Sequence, residues 1–241
     1  MEVEDRASLV YIASVNQNID HYDEALNIFE KIIAKDPCLS PDEIHLYGSI
    51  VKSNIDPIRS TLQVLSDHLF TENNSLTPEI IGKIQHYFNS TLNKLEHTIY
   101  IVLDIISNVL LDKCNNSESE VFLCKLQGDL MRYLSEFSTK PEETIMKADS
   151  YYQIAMKKAN TILPSAHPTR LGTILNYSVL KYEFQKRIED SIELVQTVIK
   201  TFNEDISSLP DALRREAQSI FAVMESNIEM WVSILEENNV E

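Results

Sequence analysis

Apolar residues recur at intervals of three and four along most of the chain, the spacing that places side chains on one face of an α-helix. A first stretch covers residues 8–18, and Asp20 then stands where an N-cap would begin a second helix. The apolar face of that second helix comprises Tyr22, Ala25, Leu26, Phe29, Ile32 and Ile33. The pattern therefore predicts two short helices at the start of the chain, with Asp20 as the cap of the second.

Helix start signals divide the remainder of the sequence. Ser40-Pro41-Asp42-Glu43 combines a cap, a proline at the first helical position and a glutamate three residues after the cap. Thr77-Pro78 repeats the cap-then-proline order, and prolines at 141, 168 and 210 mark further starts. These signals predict helices over 41–70, 78–112, 119–137, 141–163, 168–185, 187–206 and 211–235, the first of them continuing past Pro57.

The fold class that follows is all-α, with nine antiparallel helices and no strand. We predict a single helical domain over residues 1–235 and a short, acidic, flexible tail at 236–241. The helices differ too much in length for a tetratricopeptide array, which repeats every 34 residues or so. Only four glycines occur in 241 residues, which also disfavours folds that need many tight turns or phosphate loops.

Net charge limits the classes of partner, and the cysteines indicate the redox compartment. The net charge of −16 argues against nucleic acid or an anionic membrane as the main partner. The apolar run 100–111 is too short to span a bilayer and contains Asp104 and Asn108, so no membrane insertion is predicted. Cys38, Cys114 and Cys124 fit no zinc motif, and their odd number favours a reducing compartment.

Motifs that would carry catalysis are missing from the sequence. It contains no HExxH, glycine-rich phosphate loop, GxSxG or ExxH pair. The six histidines are scattered, and Cys124 is read as a small apolar filler rather than a nucleophile. We therefore predict a protein that is not an enzyme and that uses no cofactor and no metal.

Two predicted helices carry basic pairs seven residues apart. Lys52 and Arg59 form one pair and Lys125 and Arg132 the other, with Tyr133 next to Arg132. Seven residues are two helical turns, so each pair lies on one stripe. A phosphoryl group carries about −1.5 to −2 charge and three acceptor oxygens, which paired arginines, a lysine and a hydroxyl can hold. The alternative is that these basic residues belong to ordinary solvated faces.

Two later helices carry stripes that combine an amide with apolar side chains. The stripes consist of Leu175, Asn176, Val179 and Glu183, and of Ile220, Val223, Asn227 and Trp231. The asparagine amides can bond the backbone of an extended peptide, and the indole N–H of the tryptophan suits the rim of a groove. Periodicity alone does not decide whether the aliphatic residues form a groove wall or an ordinary core.

Several segments together carry a family resemblance. FLCKLQGDLMRYLSEF at 122–137 and HPTRLGTILNYSVLKYE at 167–183 are the strongest, with HYDEAL at 21–26 and NIEMW at 227–231 as weaker matches. Over nearly its whole length the chain resembles the 14-3-3 proteins, as a diverged member. The resemblance implies a nine-helix fold with amphipathic grooves, and a homo- or heterodimer in the cytoplasm with access to the nucleus.

The resemblance also implies roles for individual residues. Phosphate would be held by Lys52, Arg59, Arg132 and Tyr133. The residues implied to line the peptide groove are Lys125, Leu175, Asn176, Val179, Glu183, Ile220, Val223, Asn227 and Trp231. The function implied is an adaptor that binds phosphoserine- or phosphothreonine-containing segments of partner proteins.

This chain departs from the family pattern at several positions. Gln63 replaces an arginine one turn beyond Arg59, and Ser219 replaces a groove leucine. His21 and Ser90 replace basic residues tied to the dimer interface, and the loop at 71–76 is slightly longer. The losses at 63 and 219 keep open a phosphate-independent helical scaffold as an alternative function. An enzyme built on a helical bundle is the third possibility, and no residue set in the sequence favours it.

Overall fold

The computed structural model describes residues 5–70 and 76–238, and these residues contain helices and no strand. The helices are α1 (Arg6–Asn18), α2 (Tyr22–Lys35), α3 (Pro41–Phe70), α4 (Pro78–Ile105), α5 (Ser117–Ser135), α6 (Pro141–Ile162), α7 (Pro168–Glu183), α8 (Ile188–Asp205) and α9 (Asp211–Asn238). A π-helical stretch, Ile106–Leu110, and a last turn, Leu111–Lys113, continue α4. The all-α prediction with nine helices is confirmed for the described residues.

The helix start signals act as the sequence predicts. At the start of α3 the Ser40 hydroxyl accepts the Glu43 N–H at 3.3 Å, and the Glu43 carboxylate accepts the Ser40 N–H at 2.7 Å. This reciprocal pair is the capping box, which satisfies two backbone donors that the helix leaves open. The Thr77 hydroxyl caps α4 by accepting the Ile80 N–H at 3.4 Å.

Several helix boundaries differ from prediction, most by one or two residues, and three of the differences matter here. Asp20 does not cap α2: its φ of 62° places it in the left-handed region, and the capping position falls on His21. Aspartate tolerates this conformation, and here it lies in the turn that joins α1 to α2. The predicted 78–112 helix has a π-helical interruption at Ile106–Leu110. The final helix runs to Asn238, beyond the predicted end at 235, and residues 239–241 lie outside the described part.

The described chain packs as two compact units. The first contains the residues up to Ser119 together with Glu136–Thr139, and the second contains Glu120–Ser135 and the residues from Lys140 onward. In the first unit α2 packs on both α1 and α3, and α3 packs on α4. Its core consists of fully buried apolar side chains, among them Ala13, Phe29, Tyr47, Ile55, Leu95 and Ile99. The single domain inferred from the sequence stays a prediction.

In the second unit α7 lies at the centre, because it packs on α6, α8 and α9. The buried apolar cluster of this unit includes Leu171, Val195, Phe202, Ala217, Met224 and Trp231. The Phe202 and Phe221 rings stack with centroids 3.9 Å apart, which joins α8 to α9. This packing fixes α7, the helix that carries one of the predicted groove stripes.

Candidate functional site

The basic pair of the first unit lies on α3, where Lys52 and Arg59 are two turns apart and both half-buried. The Arg59 guanidinium donates Nε and Nη2 to the two carboxylate oxygens of Glu136 at 3.0 and 2.6 Å. Its Nη1 donates to Asp56 at 3.0 Å. A guanidinium has five N–H donors, so these carboxylates use three of them and hold the group in a fixed orientation.

The basic group of the second unit lies on α5. The Arg132 guanidinium carbon sits 4.7 Å from the centroid of the Tyr133 ring, a cation–π distance, and Tyr133 itself is buried. Burial acts to lower the pKa of Arg132, but its electrostatic interactions with the Tyr152 hydroxyl and the Asp129 carboxylate outweigh burial, and the net pKa is raised. Arg132 therefore keeps its positive charge in a half-buried position.

Asp129 connects three other residues of the second unit, although no motif of the sequence indicated a role for it. Its carboxylate is fully buried and accepts Lys125 Nζ, the Tyr152 hydroxyl and Asn176 Nδ2, each at 2.7 Å. The pKa of Tyr152 is raised well above its ordinary value, first by burial and then by the Asp129 carboxylate, so its hydroxyl stays protonated and donates. Asp129 thus links α5 to α6 and α7.

Gly128, which precedes Asp129, is a position where a larger side chain would clash with a neighbour. A Cβ built on Gly128 would lie 2.8 Å from Cδ1 and Cε1 of the Tyr152 ring, closer than real side chains approach. Because Gly128 lacks a Cβ, the Tyr152 ring packs directly against the α5 backbone. This close approach brings the tyrosine hydroxyl within reach of Asp129.

The predicted groove stripes lie on α7 and α9, two helices that pack together in the second unit. Leu175, Val179 and Ile220 are partly buried and pack against the apolar cluster of that unit. Val223 is 48% exposed, Asn227 is half-buried and Glu183 is exposed at the end of α7. The described packing therefore leaves apolar and polar surface on both helices, as a peptide groove requires.

Trp231 does not lie at a rim. Its side chain is 1% exposed and belongs to the buried cluster of the second unit, where it stacks on Tyr182 with centroids 5.1 Å apart. The rim position inferred from the indole N–H is therefore wrong, because the large apolar ring is drawn into the core. Trp231 supports α7 from within the unit.

The departures from the family pattern occupy exposed positions. Gln63 donates Nε2 to Asp67 at 3.0 Å, and the Ser219 hydroxyl donates to the Arg215 carbonyl at 3.1 Å. Ser90 and His21 are also exposed. Of the loop at 71–76 that was predicted to be longer, residues 71–75 lie outside the described part of the chain. Neither Gln63 nor Ser219 replaces the charge or the apolar surface that the resemblance implies.

Two other features bear on the class of protein. Across residues 5–70 and 76–238, no three histidine, cysteine or carboxylate side chains cluster as metal ligands. In the same residues no helix is long and apolar enough to cross a bilayer. The absence of a metal or cofactor stays a prediction.

Comparison with known proteins gives consistent matches over almost the whole chain. Residues 12–232 match a family model described as "14-3-3 protein". The chain is 29% identical over 235 residues to the 14-3-3-like protein GF14 omicron of Arabidopsis thaliana, covering 97% of this chain and 93% of the relative. It is 28% identical over 239 residues to 14-3-3 protein 8 of Solanum lycopersicum, with 98% and 92% covered.

Proposed function

The chain belongs to the 14-3-3 family, and from this membership we propose that it is an adaptor that binds phosphoserine- or phosphothreonine-containing segments of partner proteins in an amphipathic groove. Membership supports a phosphopeptide-binding adaptor function in general, because the family consists of non-catalytic adaptors. The assignment of a groove and of individual residues in this chain is part of the proposal, as is the conclusion that the chain is not an enzyme.

The observation that carries the proposal is the arrangement around Asp129. Its carboxylate takes one amide donor of Asn176 at 2.7 Å and so fixes the side chain with its amide oxygen as an acceptor. An extended peptide offers backbone N–H groups for such an acceptor. The same carboxylate fixes the ammonium group of Lys125, which supplies a cation on α5.

The phosphate of the ligand is proposed to bind Lys52, Arg59, Arg132 and Tyr133. Support comes from α5, where Arg132 keeps its positive charge beside Tyr133. The peptide backbone and flanking side chains are proposed to contact Lys125, Leu175, Asn176, Val179, Glu183, Ile220, Val223 and Asn227. Trp231 supports this surface from within.

The wider setting follows from the family. We propose that the chain forms a homo- or heterodimer and acts in the cytoplasm, with access to the nucleus. Its partners are phosphorylated proteins, and its net charge of −16 disfavours nucleic acid. Tyr87 and Glu24 keep the residue types of the family's dimer interface, and both are exposed, Tyr87 on α4 at 55% and Glu24 on α2.

The test is an anisotropy titration with a peptide library that carries phosphoserine at its centre, beside the same library with serine. We expect binding of the phosphorylated library alone. Arg132→Ala removes a charge-assisted bond of about 1.5–3 kcal/mol and should weaken affinity about 10- to 150-fold. Tyr133→Phe removes only the hydroxyl and should cost less.

Arg215→Ala is the matched control, because Arg215 is an exposed arginine on α9 outside the proposed set. Thermal unfolding of each variant verifies that it is folded. Equal affinity of Arg132→Ala and the parent chain would remove Arg132 from the phosphate site. Equal binding of both libraries would remove phosphate recognition altogether.

Phosphate-independent binding is the second candidate function, and the contacts of Arg59 favour it. Glu136 and Asp56 already engage three donors of this guanidinium, and Gln63 adds no charge one turn further along. If Glu136 competes with phosphate, Glu136→Gln should raise affinity for the phosphorylated library. If the protein is a phosphate-independent scaffold, the same change should leave both libraries equally bound.

A further inference from the structure

A cavity of about 400 Å³ lies in the second unit, bounded by α6, α7 and α8. Asn160 of α6, Ser165 of the following loop, Arg170 of α7, and Thr197 and Thr201 of α8 supply its polar lining. The volume falls within the range of roughly 300–1,000 Å³ that is typical of small-molecule sites.

The floor of this cavity is apolar. Ile174 and Val198 are buried core residues with 5% and 7% exposure, and Met156 and Leu194 beside them are partly buried. A ligand body placed on these four side chains would remove apolar surface from water on both partners. The floor therefore favours an aliphatic or aromatic group.

Arg170 is the charged residue of the described lining, and its position is fixed. Its Nη1 donates to the Leu163 carbonyl at 3.0 Å, and the side chain is half-buried. An arginine held beside an apolar floor suits a planar carboxylate. The Thr197 hydroxyl donates to the Glu193 carbonyl at 2.9 Å and so presents its oxygen lone pairs as acceptors at the wall.

The cavity is separate from the proposed peptide-binding residues of the same helix. Arg170 and Asn176 are six positions apart, which is about 240° around an α-helix at 3.6 residues per turn. The stripe with Asn176, Val179 and Glu183 is thus a different face of α7 from the one with Arg170 and Ile174.

We propose that this cavity is a second ligand site, which binds a small organic carboxylate. The carboxylate pairs with the Arg170 guanidinium, and the aliphatic or aromatic body of the ligand rests on Ile174, Val198, Met156 and Leu194.

The experiment is ¹³C-methyl NMR of the full chain titrated with 4-phenylbutanoate, with the neutral 4-phenylbutanamide as the matched probe. We expect shifts of the methyl signals of Ile174, Val198, Met156 and Leu194 with the carboxylate. Binding of the amide should be at least about tenfold weaker, since it lacks the charge-assisted bond. An excess of phosphopeptide should leave 4-phenylbutanoate bound, because the cavity is separate from the proposed peptide-binding residues.

Two variants test the residues. Arg170→Gln should weaken binding of 4-phenylbutanoate about tenfold or more, and Thr197→Phe, at an exposed position of the lining, should block the cavity with Arg170 intact. Arg215→Gln is the charge-matched control and should bind like the parent. No shift of the four methyl groups up to about 10 mM probe, equal binding of the amide, or displacement by phosphopeptide would overturn the proposal.

Discussion

Asp129→Asn is a substitution from which the structure predicts a large loss of stability in the second unit. The change keeps the size of the side chain and removes the charge. It also replaces one carboxylate oxygen by an NH₂ group, which would face either the Lys125 donor at Oδ2 or the Tyr152 and Asn176 donors at Oδ1, each now at 2.7 Å. The Lys125 ammonium is then left without its carboxylate in a side chain that is only 10% exposed.

The magnitude follows from the burial of this pair. Hydrogen bonds to charged groups contribute about 1.5–3 kcal/mol each, but three bonds to one carboxylate are not additive. Breaking one partner of a buried ion pair costs about 3–5 kcal/mol, and we expect a loss of that size. Such a loss is a large fraction of the roughly 5–15 kcal/mol that stabilises an ordinary protein.

The assay is urea unfolding followed by the fluorescence of Trp231, the one tryptophan of the sequence, which is buried in the same unit. A cycle with Lys125→Met, Asp129→Leu and the double variant isolates the pair from the other contacts. The double variant should lose less free energy of unfolding than the Asp129→Leu variant alone, because it buries no unpaired ammonium. A loss below about 1 kcal/mol for Asp129→Asn, or a coupling near zero, would refute this reasoning.

Two further predictions concern stability. Gly128→Ala should lower the thermal midpoint, because overpacking against the Tyr152 ring costs about 1–3 kcal/mol and outweighs the helix propensity gained. Gly82→Ala on open surface should instead gain up to about 1 kcal/mol of stability. Equal midpoints of the two variants would refute the steric argument. Hydrogen bonds from Arg6, then from Ser40, lower the pKa of Glu43 below its ordinary value of 4.5, so its contribution to stability is present above that pH and is lost as pH falls through the lowered pKa. Between about pH 6 and about pH 3, the thermal midpoint should therefore fall less steeply for Glu43→Gln than for the control Asp42→Asn. Parallel curves of midpoint against pH would contradict this prediction.

Local signals predicted the helices well because their causes lie within a few residues. The capping box at Ser40 and Glu43 and the cap at Thr77 act over three positions, so the sequence contains the whole interaction. The prediction of Asp20 as a cap was wrong because it relied on the same kind of local signal. Aspartate is both a good cap and a residue that tolerates positive φ, and the turn between α1 and α2 decided which property was used.

Contacts between distant parts of the chain could not be predicted from spacing. Asp129 and Asn176 are separated by 47 positions, and nothing in either helix pattern indicates that they meet. One local signal was available: Lys125 and Asp129 stand four residues apart within an apolar stretch, which favours a buried pair. The burial of Trp231 depends on the packing of α7 and α9, which periodicity does not resolve.

The path of the chain between the two units limits how the protein can be divided. A recombinant fragment that ended at Ser119 would omit Glu136–Thr139, four residues that pack with the first unit. The fragment would lack the carboxylate that grips Arg59 through two nitrogens, and its guanidinium would lose that orientation. A fragment designed to study Lys52 and Arg59 in isolation therefore needs Glu136–Thr139 joined to the amino-terminal unit.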